Sequence, residues 1–527
     1  MRRTPGLLVA GLLALAAPGA WAQESRSPPA PTSPAPASPA LPAVLDPTPQ
    51  EETQSDRWYS LEMMGAKAGW MRTSRSRTDG RLTSRSVLRV EASRGAQGAV
   101  TMHMESEFVE TPEGAPVAMR RVQRLGATDV VQSYVFREQD VEMTSTQSGQ
   151  TTTTTLPRPE GAWLTPAAAE QFVRQRFKSG AKEISVRTIS PEYGMTPVTI
   201  TRRLDGRERI AAMGRDLDAV RWRVENTIAP QLASTEWTDE EGELVRSVTP
   251  LGPLTLTMTA STRDAALARS GTPAPEAMVS TFVKGSRQIA NPRRVRRASY
   301  VLSLADGRID DLPSAGMQQV TRLDERRVRV DVEVGRSTAA TPAELTPRAR
   351  ATYLASTTLC RADDEVIKEL AARGVQGAGE SAADRAEALR RLVNRHIKRK
   401  TLDVGFATAS EVARRREGDC SEHGVLLAAL LRAEGIPSRV VAGLIYADEF
   451  AGATDIFGYH MWTQALVEIN GEPRWIDLDA TFPAGIPADA THIALDLSAL
   501  TDEDPTAGLM SVASVMGRLS IEVEKTE

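Results

Sequence analysis

From about Trp58 to Thr262 the chain alternates apolar and polar residues with a period of two. Val100, Met102, Met104 and Phe108 are interleaved with Thr101, His103, Glu105 and Glu107, and Leu254, Leu256 and Met258 with Thr255, Thr257 and Thr259. That period gives each strand one apolar and one polar face, which predicts antiparallel β-structure with a solvated side. One helix interrupts the run, with Thr165 as cap, Pro166 at the first helical position, Phe172, Val173 and Phe177 on one side, and Gly180 past its end. The Met and aromatic residues of this region follow the strand period, so they read as core.

A looser stretch from Ser261 to Glu276 follows, and then a second alternation, Val328, Val330, Val332 and Val334 between Arg329, Asp331 and Glu333, with Tyr300 to Leu304 before it. This predicts a smaller β module. Beyond Thr346 the period becomes helical: Ala349 to Leu354, Asp364 to Ala372 and Asp384 to Ile397 carry apolar residues three and four apart, with Ser381 as a cap. The expected architecture is multidomain α+β. It comprises a leader at 1–22, a Pro-rich linker at 23–54, an antiparallel β-rich domain at 55–262, a linker at 263–285, a small β module at 286–340, and a C-terminal α+β domain at 346–527. The helices from Ala349 onward carry enough apolar surface for that last segment to be expected to fold alone.

Composition narrows the function classes. At 527 residues, 41% hydrophobic and 25% charged, the chain is too long for one compact domain and too apolar for a disordered one. Its 64 basic and 68 acidic side chains give a formal charge of −4, and removal of Arg2 and Arg3 with the leader gives 62 minus 68, or −6. This acidity argues against nucleic acid as a partner. The basic runs Arg293-Arg294-Val295-Arg296-Arg297 and Arg395 to Lys400 therefore read as solvated faces. The first twenty-two residues have the charged, apolar, small-residue order of a secretory signal, ending Ala20-Trp21-Ala22. No later stretch is apolar enough to span a bilayer. An exported periplasmic or secreted protein is expected, without a transmembrane segment after cleavage after Ala22.

The two cysteines, Cys360 and Cys420, cannot build a disulfide framework. Cys420 belongs to Gly418-Asp419-Cys420-Ser421-Glu422-His423, which opens an almost wholly apolar run ending at Gly435. Such a helix must be buried, with Cys420 in its first turn, where main-chain N–H groups and the helix dipole favour a thiolate and could bind an oxyanion. Asp419 and Glu422 oppose the thiolate, so a cationic partner is needed. Tyr459 to Ile469 reads as a strand, Asn470-Gly471 as a two-residue turn and Arg474 to Thr481 as the return strand. With Ile469 opposite Glu472, register sets Gln464 against Asp477, Trp462 against Asp479 and His460 against Thr481, with His460 diagonal to Asp479 on one face. Cysteine, histidine and aspartate so arranged can act as a thiol nucleophile, its base and an orienting carboxylate.

These residues resemble the transglutaminase-like superfamily in its bacterial exported form. The matching pieces are Gly418-Asp419-Cys420, Gly435 to Arg439 with Val440 to Gly443 behind it, His460-Met461-Trp462, and Trp475 through Asp479-Ala480-Thr481. The resemblance covers Thr346 to the C terminus. It implies a papain-like core with Cys420 as nucleophile, His460 as general base and Asp479 as orienting acid, and it implies no cofactor. The further domains and calcium sites of animal transglutaminases have no counterpart here, and Phe406 stands where some relatives place an aromatic hydrogen-bond donor.

Other readings of the same residues are a metal site from Cys420, His423 and His460, His423 as base, and a Cys360–Cys420 bridge, set against Cys360 as a lone thiol in a different helix. Trp462 and Trp475 are candidates for groove wall or sheet core. The sequence therefore predicts a thiol acyl-transfer enzyme, a protease, amidase or transglutaminase, acting on a protein or peptide of the cell envelope. The competing class is a non-enzymatic envelope binding or scaffold protein.

Overall fold

The computed structural model describes residues 52–93, 99–124, 129–147, 149–228, 232–251, 254–269, 279–305, 307–400, 407–502, 515 and 517–527. The leader, the Pro-rich segment as far as residue 51, residues 270–278 of the looser stretch, and Phe406 lie outside them.

The region of period-two alternation is one antiparallel sheet of fourteen strands. At its centre Glu52–Met63 pairs with Leu254–Ser261. Seven strands run outward from the first to Gln150–Pro157, and five from the second to Glu183–Thr188. Met102, Met104, Phe108, Leu254 and Leu256 are buried. The helix Pro166–Lys178 links the two edge strands and packs Phe172, Val173 and Phe177 on Ile184, Val220, Trp222 and Val224. Its cap differs from the expected one. Thr165 has extended backbone but makes no capping bond; buried Glu110 accepts from the Ala167 N–H at 3.0 Å and from the Thr165 hydroxyl at 2.6 Å.

The smaller module does not close on itself. Gln318–Arg322, Arg327–Glu333 and Arg297–Leu304 form a four-stranded sheet with the last strand of the chain, Leu519–Thr526. In the other direction, Val283–Lys284 pairs with Phe457 and Ile456, and Thr338–Ala339 with Trp475 and Arg474. One continuous core contains Leu61 and Met63 of the large sheet, Tyr300 and Val330 of the module, and Tyr446 and Phe457 further on. The division expected near 340–346 is therefore crossed by strand pairing in both directions. Alternation marks a strand but not its partner, so the exchange of strands was invisible in the pattern.

The C-terminal sheet runs in the order Thr338–Ala339, Glu472–Leu478, Ala453–Ile469, Ser438–Phe450, Ile493–Ser498. Helices Glu365–Gly374, Ala382–His396, Ala409–Arg415 and Cys420–Ala433 cover it. Ser381 caps the second by accepting from the Asp384 N–H at 3.0 Å. Cys420–Ala433 lies between sheet and helices, and its residues from Cys420 to Arg432 are buried. That position explains an apolar character all round. Arg432, the charged exception, is satisfied by the carbonyls of Ala355, Ser438 and Ala499. Among the described residues no helix is long and apolar enough to cross a membrane.

Candidate active site

Cys420 is the first residue of its helix, 3% exposed, and the start is fixed by a capping box. Asp419 accepts from the Ser421 N–H at 2.8 Å, and Glu422 returns the bond by accepting from the Asp419 N–H at 2.9 Å. Gly418 has φ +151°, and a Cβ there would overlap the Glu422 side chain. Burial, and then the Asp419 charge, push the Cys420 thiol well above its ordinary value, while a hydrogen bond from the Met461 main chain works against them. The sulfur lies against the residue next to His460.

The hairpin has the expected register as far as it goes. Ile469 faces Glu472 and Gln464 faces Asp477, but pairing ends at Thr463 and Leu478, so the expected pairs Trp462/Asp479 and His460/Thr481 lie beyond the ladder. The return strand is pulled away by an Asx turn, in which Asp479 Oδ1 accepts from the Thr481 N–H at 2.8 Å and hydroxyl at 2.7 Å. The carboxylate still reaches the histidine, and His460 Nε2 meets Asp479 Oδ2 at 2.8 Å. His460, foremost among the groups opposing burial, and His492 hold Asp479 well below its ordinary value. An ionised carboxylate only accepts, so the hydrogen sits on Nε2. Nδ1, buried and without a hydrogen-bond partner, is left as the basic nitrogen.

The loop carrying Asp479 is held from the helix Ala382–His396. Buried Arg390 donates to the carbonyls of Asp479, Phe482 and Pro483, and Asn394 to that of Ala480. Lys400 adds a bond to the Thr481 carbonyl at 3.2 Å.

Sequence reasoning passed over His492. Its Nε2 lies 3.1 Å from the same Asp479 Oδ2, and its Nδ1 lies 3.2 Å from Asp489 Oδ1. Asp489 repeats the turn of Asp479, with Oδ1 accepting from the Thr491 N–H and hydroxyl. The usable signal was the repeated Asp-Ala-Thr at 479–481 and 489–491. Arg293 Nη1 completes the chain at 2.5 Å from Asp489 Oδ2. The first arginine of the run expected to be a solvated face is therefore an ion-pair partner inside the fold, because only a tertiary contact reveals its acceptor.

Asp477 does not meet His460. It accepts from Trp462 Nε1, Gln464 Nε2 and the Met317 N–H at 2.7, 2.8 and 2.7 Å. Trp462 stacks on His460 with ring centroids 6.1 Å apart. Trp475 is core, between Tyr353 and the guanidinium of Arg439. His423 bonds the Asp419 carbonyl through Nδ1, and burial pushes its pKa down to about 4. No carboxylate orients it. Cys360 and Cys420 do not form a disulfide, and Cys360 sits in the turn before Glu365–Gly374, outside any helix.

His460, Asp479 and His492 bring three ligand-type atoms within 4.8 Å of one another. Cys420 and His423 are not part of this group. Nε2 of each histidine already donates to Asp479, so a metal would have to displace two protons that the carboxylate holds in place. The cluster is a hydrogen-bonded one as it stands.

A family model of the transglutaminase-like superfamily matches residues 368–480, the segment containing Cys420, His460 and Asp479. Comparison with curated proteins finds no sequence match. Among solved structures, a β-barrel-like protein of a domain of unknown function from Brucella abortus aligns over 39% of this chain and 94% of its own, at 10% identity and TM-score 0.31. A "putative cysteine protease" from Cytophaga hutchinsonii aligns over 44% and 89%, at 14% identity and TM-score 0.27. A "putative protease" from Parabacteroides distasonis aligns over 69% of each chain, at 12% identity and TM-score 0.17.

Proposed function

We propose that this chain, whose residues 368–480 carry a transglutaminase-like core, is an exported thiol enzyme acting on peptide or amide bonds of an envelope substrate. Cys420 is its nucleophile, His460 its general base and Asp479 its orienting acid. The observation that carries the reading is the 2.8 Å bond from His460 Nε2 to Asp479. It leaves Nδ1 as the nitrogen turned away from Asp479, on the strand whose next residue, Met461, bonds the Cys420 sulfur through its main chain.

In the reaction His460 Nδ1 takes the Cys420 proton as the sulfur forms a bond to the substrate carbonyl carbon. The carbonyl oxygen takes the negative charge, opposite the Cys420 N–H, since Asp419 holds those that follow it in the helix. Collapse breaks the C–N bond, the amine leaves with the proton from Nδ1, and a thioester remains. Water then gives hydrolysis and a second amine gives crosslinking; in either case the incoming nucleophile's proton passes to His460 and returns to the sulfur.

A non-enzymatic binding role has one observation on its side, since Cys420 is buried and its thiol is pushed up. Intact-mass analysis with a thiol-reactive probe that mimics an amide separates the two. The enzyme reading expects one adduct at Cys420, none in Cys420→Ala or His460→Ala, and normal labelling of Cys360→Ser. An unlabelled folded protein whose thiols react only after unfolding overturns it.

A further inference from the structure

Asp479 is shared between two buried histidines. His460 Nε2 and His492 Nε2 meet the same oxygen at 2.8 and 3.1 Å, while the other oxygen is occupied by Thr481. Both nitrogens must carry hydrogen, because the carboxylate only accepts. On its far side His492 Nδ1 faces two acceptors, the Asp489 carbonyl at 2.9 Å and Asp489 Oδ1 at 3.2 Å, with the Asp489 N–H further off at 3.4 Å. A ring whose nearest partner at each nitrogen is an acceptor is best satisfied as the imidazolium. Asp489 is in turn bound by Arg293, which also donates to the Tyr446 carbonyl. The ring is enclosed by Trp462, Phe482 and the His460 ring, at 5.0, 5.5 and 5.6 Å.

We infer that His492 is a positioning residue of the site, charged at neutral pH and held by Asp489 and Arg293, which fixes Asp479 against His460 and adds positive charge to the site. The inference rests on the thiol-enzyme reading and names a residue outside its triad. The groups facing His492 are Asp479, Asp489 and His460, with Asp477 behind Trp462 and Arg293 beyond Asp489. Burial alone would discharge the ring, but the Asp489 and Asp479 carboxylates raise its pKa to about 9. The sequence reading required a cation to offset Asp419 and Glu422, and this one is built from the fold. Arg293 precedes the strand Arg297–Leu304, so the small module reaches the site through it.

A fixed positive charge lowers the pKa of a thiol in its field, so removing it moves the titration of Cys420 upward. The test measures the rate of Cys420 alkylation by iodoacetamide against pH on the full-length protein, for wild type, His492→Gln and Asp489→Asn. The expected result is a fall of roughly tenfold at pH 7, with the thiol limb of the profile displaced by about half a pH unit or more to the alkaline side. A residue serving only packing would lower the rate or the melting temperature and leave that limb in place, and that result overturns the inference while sparing the thiol enzyme. A wild type inert to alkylation removes both. Should His492→Gln not fold, ¹⁵N spectra of the five histidines in the wild type decide. One ring retaining both N–H hydrogens at pH 7.5, and losing that state in Asp489→Asn, supports the assignment; five neutral rings refute it.

Discussion

His460 Nε2 donates to Asp479 Oδ2, and this aspartate has no acceptor capacity left for rearrangement: Thr481 fills one oxygen and His492 shares the other. The orientation of the base is therefore set by four donors on one carboxylate. An amide in its place would turn two hydrogens toward groups that themselves donate.

Asp479→Asn is accordingly expected to lower probe labelling by roughly 10³–10⁴-fold by favouring the wrong His460 tautomer, while leaving a measurable residue. Cys420→Ala is expected to leave none. Time courses of adduct formation check the order, and an Asp479→Asn protein reacting at the wild-type rate would mean that the carboxylate does not orient the base.

Stability should depend on pH through His492. Its pKa is raised by Asp489 and Asp479 from 6.5 to about 9. The proton is thus bound more tightly in the folded chain, and its stabilising contribution is complete below pH 6.5 and disappears as pH rises through about 9. At roughly 1.4 kcal/mol per unit the contribution is on the order of 3 kcal/mol. Melting temperatures of wild type and His492→Gln should differ most near pH 6 and converge above pH 9. A gap that is flat with pH would mean that the ring is neutral when folded.

Gly418→Ala tests the start of the cysteine helix. The φ of +151° and the overlap of a Cβ with Glu422 require both backbone strain and displacement of the capping carboxyl. The expected cost is about 1–3 kcal/mol, together with slower Cys420 labelling. Substitution at Gly435, which also has positive φ but meets nothing within 4 Å, should lower stability and leave the labelling rate alone.

What could be read from the chain follows the range of each interaction. The cysteine helix was legible because burial on all sides leaves an apolar run, and Asn470-Gly471 fixed the hairpin register because a two-residue turn leaves no freedom. The Asp479 contact came out of that register even though the ladder stops at Thr463, since the Asx turn keeps the side chain on the same face. His492 was not legible: it is 32 residues from His460, across an irregular loop, and no periodicity governs it. Nor was Arg293, which looks like its exposed neighbours until Asp489 is placed opposite. The strand Leu519–Thr526 alternates correctly, but its partner, Arg297–Leu304, lies more than two hundred residues earlier.

That last pairing changes what a fragment starting at Thr346 should do. Apolar surface in its helices suggests independent folding, yet the fragment lacks both strands that Val283–Lys284 and Thr338–Ala339 add to its sheet. It also strands Leu519–Thr526 without a partner. Buried polar groups each lose a partner: Asp477 the Met317 N–H, the Ala494 main chain the Gln318 side chain, and Asp489 the Arg293 guanidinium. Each lost bond costs about 0.5–1.5 kcal/mol, or about 1.5–3 kcal/mol where a charge is involved, and with the missing strand pairing the sum is comparable with the whole stability of a domain. The fragment 346–527 is therefore expected to be unfolded and unlabelled by the probe. A fragment from residue 279 retains these partners and exposes only the core surface normally covered by residues such as Leu61 and Met63, so it should fold with a lowered melting temperature and label at Cys420. Circular-dichroism melts and intact-mass labelling of both fragments beside the full chain provide the check. A cooperative transition and a Cys420 adduct in 346–527 would show that the small module is an attachment to the C-terminal fold and not a part of it.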